Sequence, residues 1–381
     1  MMKKHNDLGI YIHIPFCESK CYYCDFNSSV ENDEIINKYL LYLEKEVCLW
    51  EDFLCQKTID TIFIGGGTPS ILTPKQISSL ENIFSKFKFS NNLEFTVEAN
   101  PNSINLSKIK AFKKLGVNRI SLGAQSTNET ILKKIGRIHG NMDLLKAVDC
   151  IKESSIENFN LDFMMALPGE SIDDIDKNFD FIEKLNPKHI SYYSLILEEG
   201  TPLFNKYKTA KNDFPDENLD RKMYHYICRR LKNLNFEQYE ISNFSKPKYR
   251  CRHNLKYWLL QDYLSFGLSA HSNIGNKRFW NYGDFETYFN SIDKNLKPIE
   301  NFENLSIKDR INEFVMMGLR LNDGVDFEKF EKKFGIDFKS YYKDEIEKSV
   351  SLFWCKLNSN NLYLTSKGRD LSNQVELIFI K

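Results

Sequence analysis

From Gly9 to Ile14 apolar residues recur in strand fashion, and from Asp33 to Cys55 the apolar set Ile36, Tyr39, Leu40, Leu43, Val47 and Leu54 falls at helical spacing. The same grammar then repeats. Ile59–Ile64 reads as a second strand followed by Gly65-Gly-Gly-Thr-Pro69, and Thr73-Pro74 forms an N-cap and N1 pair opening a helix to about Phe87. Further strands are predicted over Leu93–Glu98, Arg119–Gly123, Asn158–Met164 and His189–Leu197. Helices fall between them, near Leu106–Leu115, Glu129–Ile135, Asp143–Ser154 and Ile172–Leu185. Strands alternating with helices imply parallel strands joined by right-handed crossovers. Six such units make an α/β fold, an open, partial (β/α)6 barrel of the TIM-like kind.

In such barrels chemistry gathers at the carboxyl ends of the strands. The unusual residues obey that rule: three cysteines follow the first strand, Gly65–Thr68 the second, Glu98 ends the third, Gln125 follows the fourth and Asp162 lies near the end of the fifth.

Beyond Glu199 the rhythm fades. A polar loop, a helix from about Asp216 to Leu234 and the basic segment Tyr249–Trp258 come next, then the small residues Gly267, Ser269 and Ala270 with His271, a sign of close backbone packing, and a linker around Asn295–Asn304 containing Pro298. Helices are expected near Ile307–Leu319, Phe327–Phe334 and Tyr341–Val350, with a short strand at Leu362–Leu364, a mostly helical, winged-helix-like pattern. The boundaries read as a barrel over 1–205, an accessory segment over 206–300 and a C-terminal domain over 301–381.

Composition changes the picture mainly by exclusion. Lys plus Arg and Asp plus Glu are 52 each, so no global field favours nucleic acid or an anionic surface. From Ser306 to Lys381 10 Lys and 3 Arg stand against 12 acidic residues, which removes the basic footprint a DNA-binding winged helix needs. No apolar run approaches the ~20 residues of a membrane span and no signal-peptide core opens the chain. The expectation is a cytoplasmic protein. Nine cysteines, six of them scattered, fit a reducing compartment better than a disulfide framework.

The chemistry concentrates in Cys17-Glu-Ser-Lys-Cys21-Tyr-Tyr-Cys24. Three thiols on a loop can converge on one metal centre. A structural zinc would need a fourth ligand from His5, His13, Cys48 or Cys55, none at a usual zinc spacing. A four-iron, four-sulfur cluster normally takes four thiolates, so three leave one iron open.

This C-x3-C-x2-C with an aromatic, Tyr23, before the third cysteine resembles the signature of the radical S-adenosylmethionine (SAM) superfamily. The resemblance implies that Cys17, Cys21 and Cys24 hold a 4Fe-4S cluster and that SAM fills the open iron, with one electron breaking its sulfur–carbon bond to give a 5'-deoxyadenosyl radical. Along nearly the whole chain the sequence is similar to oxygen-independent coproporphyrinogen III oxidases and their paralogues, the HemW haem chaperones. By matching motif, Tyr11 and Tyr23 would flank the cluster, and Gly66 and Glu98 would contact the cluster-bound SAM. Gly67, Thr68, Gln125, Arg137 and Asp162 match contacts to a second SAM in the oxidases. Each has a plain alternative: a helix-end cation for Arg137, a turn residue for Gln125, a paired interior carboxylate for Asp162.

Two features separate the paralogues. The oxidases carry a further cysteine where this chain has Phe26, and His253-Asn-Leu-Lys-Tyr257-Trp258 matches the H-N-x-x-Y-W haem-binding motif of the chaperones. The likeness implies haem ligation by His253, with Cys251 as the alternative ligand. Lys246, Lys248, Arg250, Arg252 and Lys256, with no carboxylate between Glu240 and Asp262, suit porphyrin propionates. Without the family likeness, a histidine in such a basic loop reads as a solvated face. The implied function is a haem chaperone serving apo-haem respiratory proteins, with an electron donor such as flavodoxin, no nucleic acid and no more than peripheral membrane contact. Turnover stays open, and the alternative is the oxidase itself.

Overall fold

The computed structural model describes residues 7–381, so His5 lies outside the described residues. Its centre is a run of six strands, β1 Asp7–Ile14, β2 Thr58–Gly66, β3 Phe89–Ala99, β4 Arg119–Gln125, β5 Asn158–Met165 and β6 His189–Ser194. They lie side by side in chain order, every neighbouring pair parallel. In β1 the residues Leu8, Ile10, Ile12 and Ile14 are fully buried in the main apolar core, which they share with Tyr39, Leu43 and Val47 of the helix Asp33–Cys48. The intervening residues Tyr11 and His13 face the barrel lumen, as the period of two requires.

Beyond β6 the sheet continues antiparallel through β8 Asn243–Ser245 to β7 Glu237–Gln238. Beyond β1 it continues through β9 Tyr263–Phe266, parallel to β1, then β10 His271–Ile274, β11 Lys277–Asn281 and β12 Ile299–Asn304, all antiparallel. β1 and β6 never pair, so the barrel is open, and the segment between the sixth strand and the C-terminal helices extends both rims of one twelve-stranded sheet.

Several local expectations change. The predicted helix to Cys55 breaks after Cys48, because Trp50 turns away to stack on Phe279 of β11, ring centroids 5.5 Å apart. The expected linker Asn295–Asn304 contains β12: its polar, exposed residues carry no strand periodicity, and pairing with the open edge of β11 makes the strand. The sixth strand stops at Ser194, short of Leu197.

The C-terminal part has a core of its own. The helix Ile307–Arg320, opened by a capping box between Ser306 and Asp309, packs on the helices Phe327–Phe334, Phe338–Tyr341 and Lys343–Ser351. A small sheet joins them, ordered β13 Val325–Asp326, β15 Asn361–Leu364, β14 Cys355–Leu357. β13 and β14 are too short to announce themselves by periodicity. Among the described residues no helix is long and apolar enough to cross a membrane.

Candidate functional site

The cysteine loop leaves β1 and is clamped at its base. Cys17 N–H donates to the Ser29 carbonyl and Ser29 N–H to the Pro15 carbonyl, both at 2.9 Å. A second tether runs to the barrel wall: Tyr22 N–H donates to the Ile135 carbonyl, and Leu203 N–H to the Tyr22 carbonyl. Tyr23 anchors the loop by packing against a cluster that includes Ile131, Leu132 and Leu203. Two of the three sulfurs accept hydrogen bonds at 3.5 Å, Cys17 from the Thr68 hydroxyl and Cys21 from Arg137 Nη1. Burial, ahead of the neighbouring thiols, pushes the Cys24 thiol up. A loop held at both ends, with a guanidinium against one sulfur, suits thiolates gathered on an electron-carrying cluster.

Among the described residues the zinc alternatives offer no fourth ligand. His13 has both ring nitrogens engaged, Nδ1 with the Tyr11 hydroxyl at 3.0 Å and Nε2 with the Asn27 carbonyl at 2.9 Å. Cys48 and Cys55 are exposed, Cys48 as the last residue of the helix Asp33–Cys48 and Cys55 past it, and that helix is roughly 24 Å long at ~1.5 Å per residue. Among the described residues no three His, Cys, Asp or Glu side chains gather around a single-ion position.

Beside the loop, the Gly65–Gly67 turn is shaped by the protein as much as by any ligand. A Cβ on Gly65 would stand 2.8 Å from Glu98 Oε2, one on Gly66 2.5 Å from the His13 ring, and one on Gly67 2.6 Å from the Phe16 carbonyl. Gly66 also has φ +109°, a conformation that L side chains avoid. The glycines thus let β2 close on the cysteine loop, and the backbone approach to an amino-acid ligand comes on top of that packing.

Gly66 N–H donates to Glu98 Oε2 at 3.1 Å. Burial, with the Asp162 charge adding to it, raises the Glu98 carboxyl to about 8. Burial likewise raises Asp162, against hydrogen bonds from the Ser121 hydroxyl at 3.0 Å and Asn160 Nδ2 at 2.7 Å. Tyr11 stands in the same lumen, its phenol raised by burial and by Glu98. Two strained acids without an ion pair among the described residues are what a cationic ligand would stabilise, since a nearby positive charge restores the ionised form. The residues therefore fit an amino-acid ligand bearing an ammonium group at this strand end.

The remaining matched residues also meet here. Arg137 Nη2 donates to Asn100 Oδ1 and to the Gly123 carbonyl, both at 2.7 Å, so it joins the ends of β3 and β4 to Cys21 and is no mere helix-end cation. Asn100, which the sequence left unremarked within Glu98-Ala-Asn-Pro101, donates in turn to Thr68 Oγ1 at 3.1 Å. Gln125 ends β4 with φ +60°, so the turn reading holds for its backbone, while its side-chain nitrogen lies 2.8 Å from where a Gly123 Cβ would be.

The H-N-x-x-Y-W segment departs most from expectation. It is the helix Arg252–Trp258, not a loop, and His253 is fully buried at the opposite end of the lumen from the cysteines. Its Nδ1 is hydrogen-bonded to Thr61 Oγ1 at 2.9 Å and its Nε2 to the Tyr257 hydroxyl at 2.8 Å, while its ring stacks on Phe63. Burial, then the Lys256 and Arg119 charges, lower this imidazole to about 3. Cys251 is also fully buried, its thiol pushed up to about 12 by burial.

The basic cluster is neutralised in space by carboxylates distant in sequence. Glu94 accepts from the N–H groups of Arg252 and His253, both at 2.9 Å, and Asp60 pairs with Lys256 at 2.8 Å and Arg252 at 3.4 Å. Arg250 pairs with Asp323 and Glu237. The solvated-face reading is thereby overturned: this helix is a plug in the lower mouth of the barrel, and Glu94, Asp60 and Thr61 hold it. No local signal marked them.

An open parallel barrel with a clamped three-cysteine loop and a glycine turn at one strand end defines a radical SAM protein. The Radical SAM superfamily model matches residues 11–182 and the HemN C-terminal domain model matches residues 305–371. In structure the chain is similar to coproporphyrinogen III oxidase (HemN) from Escherichia coli, a radical SAM enzyme, with a TM-score of 0.86 and 22% identity, covering 98% of this chain and 90% of that one. That likeness carries the fold. In sequence it is 35% identical over 371 residues to the heme chaperone HemW of Bacillus subtilis strain 168, covering 96% of this chain and 97% of the relative. The heme chaperone HemW of Lactococcus lactis strain IL1403 is 35% identical over 379 residues, with 98% and 97% covered. The chain belongs to the HemW family of radical SAM proteins.

Proposed function

We propose that this protein is a haem chaperone: it binds haem and passes it to apo-haem proteins, those of the respiratory chain foremost, with Cys17, Cys21 and Cys24 holding a 4Fe-4S cluster. The observation that carries this reading is full-length identity of 35% to relatives named as heme chaperones, joined to a clamped cysteine loop in which position 26 is Phe rather than a further cysteine. When bound, the cluster and SAM would supply one-electron chemistry at the upper mouth of the barrel. Glu98 would orient the amino end of SAM, Gly66 would leave room for it, and Tyr11 and Tyr23 would wall the cluster from water. Arg137 would offset the thiolate charge through Cys21. Gly67, Thr68, Gln125 and Asp162 line the adjoining strand ends, where a second ligand would lie. An electron donor such as flavodoxin would reduce the cluster.

The test is to incubate the reconstituted protein separately with haem and with coproporphyrinogen III. Stable haem uptake, transferable to an apo-cytochrome, with no porphyrin product is expected. Conversion of coproporphyrinogen III would replace this reading by the oxidase.

A further inference from the structure

The lumen between the two mouths is not filled as barrel interiors usually are. Branched apolar side chains dominate such cores, but here the inward positions of β4, β5 and β6 carry Ser121, Asn160, Asp162, His189 and Ser191. His189 is fully buried and has no part in the site described above. Its Nε2 is hydrogen-bonded to the Tyr239 hydroxyl at 2.8 Å and its Nδ1 to Asn160 Oδ1 at 2.7 Å. Asn160 Nδ2 donates on to Asp162 Oδ1 at 2.7 Å, and the Ser121 hydroxyl donates to Asp162 Oδ2 at 3.0 Å. At the other end the N–H of Cys251, the N-cap of the plug helix, donates to the Tyr239 oxygen at 3.4 Å. One hydrogen-bonded chain thus runs from the lower mouth to the upper.

The direction of each bond in this chain is fixed. An amide oxygen set against the Asp162 carboxylate would repel it, so Asn160 turns its NH2 there and its oxygen to His189. That oxygen only accepts, so His189 Nδ1 carries the proton. Burial, then the Arg119 charge, pull this imidazole well below its usual range and keep it neutral, which leaves Nε2 to accept from the Tyr239 O–H. All the donors therefore point towards Asp162. The chain is ordered best when that carboxyl is ionised, since hydrogen bonds to a charged acceptor are the stronger ones. A cationic ligand at Glu98 and Asp162 supplies that condition, whereas an un-ionised Asp162 brings an O–H that competes with Asn160 and Ser121.

Resting on the haem-chaperone reading above, we infer that His189 is a positioning residue coupling the two mouths, so that SAM bound above holds the plug helix in place and weakens haem binding at its His253–Trp258 motif. Coupling of this kind needs an element with two arrangements that both sites bias. The plug is that element: it is either seated, with His253 bonded to Thr61 and Tyr257, or drawn away so that the imidazole can meet iron. His253 and Tyr257 form its lumen side, while Leu255 and Trp258 line the cleft to the C-terminal domain. By reciprocity haem weakens SAM binding by the same factor.

The full-length, cluster-reconstituted protein, without reductant, is titrated with ferric haem by its Soret band, with and without saturating SAM, and with SAM by equilibrium dialysis, with and without haem. Each ligand should weaken the other at least about fivefold, the lower end of ordinary coupling between sites. Tyr239→Phe removes one hydroxyl from the middle of the chain. It should still bind both ligands, yet each affinity should change by less than about twofold when the other is present. His189→Phe cuts the chain at the next link with a ring of similar bulk and should give the same result. A residue that only supported the fold would shift both affinities and leave their dependence on each other unchanged. Coupling that survives in both variants overturns the inference, as does a haem affinity of the unaltered protein that SAM leaves unchanged or raises, and the chaperone reading then stands. No haem uptake by the unaltered protein overturns the chaperone reading itself, and the inference with it.

Discussion

His253→Ala is the substitution that the burial of the plug helix makes most informative, and its first effect should be on stability. The imidazole is fully buried and bonded to two hydroxyls, Thr61 Oγ1 at 2.9 Å and Tyr257 at 2.8 Å. Truncation leaves both without that partner, at about 1–3 kcal/mol for each buried polar group left unsatisfied, and opens a cavity beside Phe63. A loss of about 3–5 kcal/mol is expected for the barrel. The loss should itself depend on pH. The folded imidazole titrates at about 3, below the ~6.5 of an unfolded histidine, so the unfolded chain takes up the proton first as pH falls. Stability from this group is complete above 6.5 and drains away between 6.5 and 3. Linkage puts the difference between pH 7 and pH 5 at about 2 kcal/mol, so the penalty of His253→Ala should shrink by that much at pH 5. Urea unfolding of the haem-free protein at both pH values, followed by far-UV circular dichroism, measures it. A penalty below 1 kcal/mol, or one that does not change with pH, would refute the buried plug. The same result would mean that loss of a Soret band in this variant reports ligation and not unfolding.

Replacing Cys17, Cys21 or Cys24 with Ala should abolish the iron–sulfur absorption after anaerobic reconstitution, while Cys48→Ala and Cys55→Ala, both at exposed positions, keep it; stoichiometric zinc without sulfide in the unaltered protein would refute the cluster. Glu98→Gln should leave that spectrum intact and weaken SAM binding by equilibrium dialysis, whereas Gly66→Val should lose the cluster too, since its side chain meets the His13 ring and its φ is +109°. Arg137→Lys keeps the charge but cannot span Cys21, Asn100 and Gly123 together; the cluster should become more oxygen-labile, read as a faster loss of absorbance in air.

Local pattern carried the reading of the upper mouth because the chemistry there is local. Three cysteines within one loop, a glycine turn after a strand and an acid at a strand end each lie within a few residues of the element that positions them. Arg137 shows the limit: its position just past a helix end was legible, but its three partners come from the cysteine loop and two strand ends, so its role as a joint between them was not.

The sequence alone determined the alternation of strands and helices, hence the parallel barrel, and the three-thiol signature at its carboxyl end, because both follow from periodicity and short-range spacing. Tertiary structure decided everything about the lower mouth. Whether His253 is solvated or buried depends on Glu94, 159 residues away, and Thr61, 192 away, and no spacing rule reaches across such loops. β12 became a strand only because β11 presented an open edge to it. The two faces of the plug helix follow from helical spacing, but which one meets the barrel and which the C-terminal domain was settled by packing, where long-range contacts outweigh local propensity.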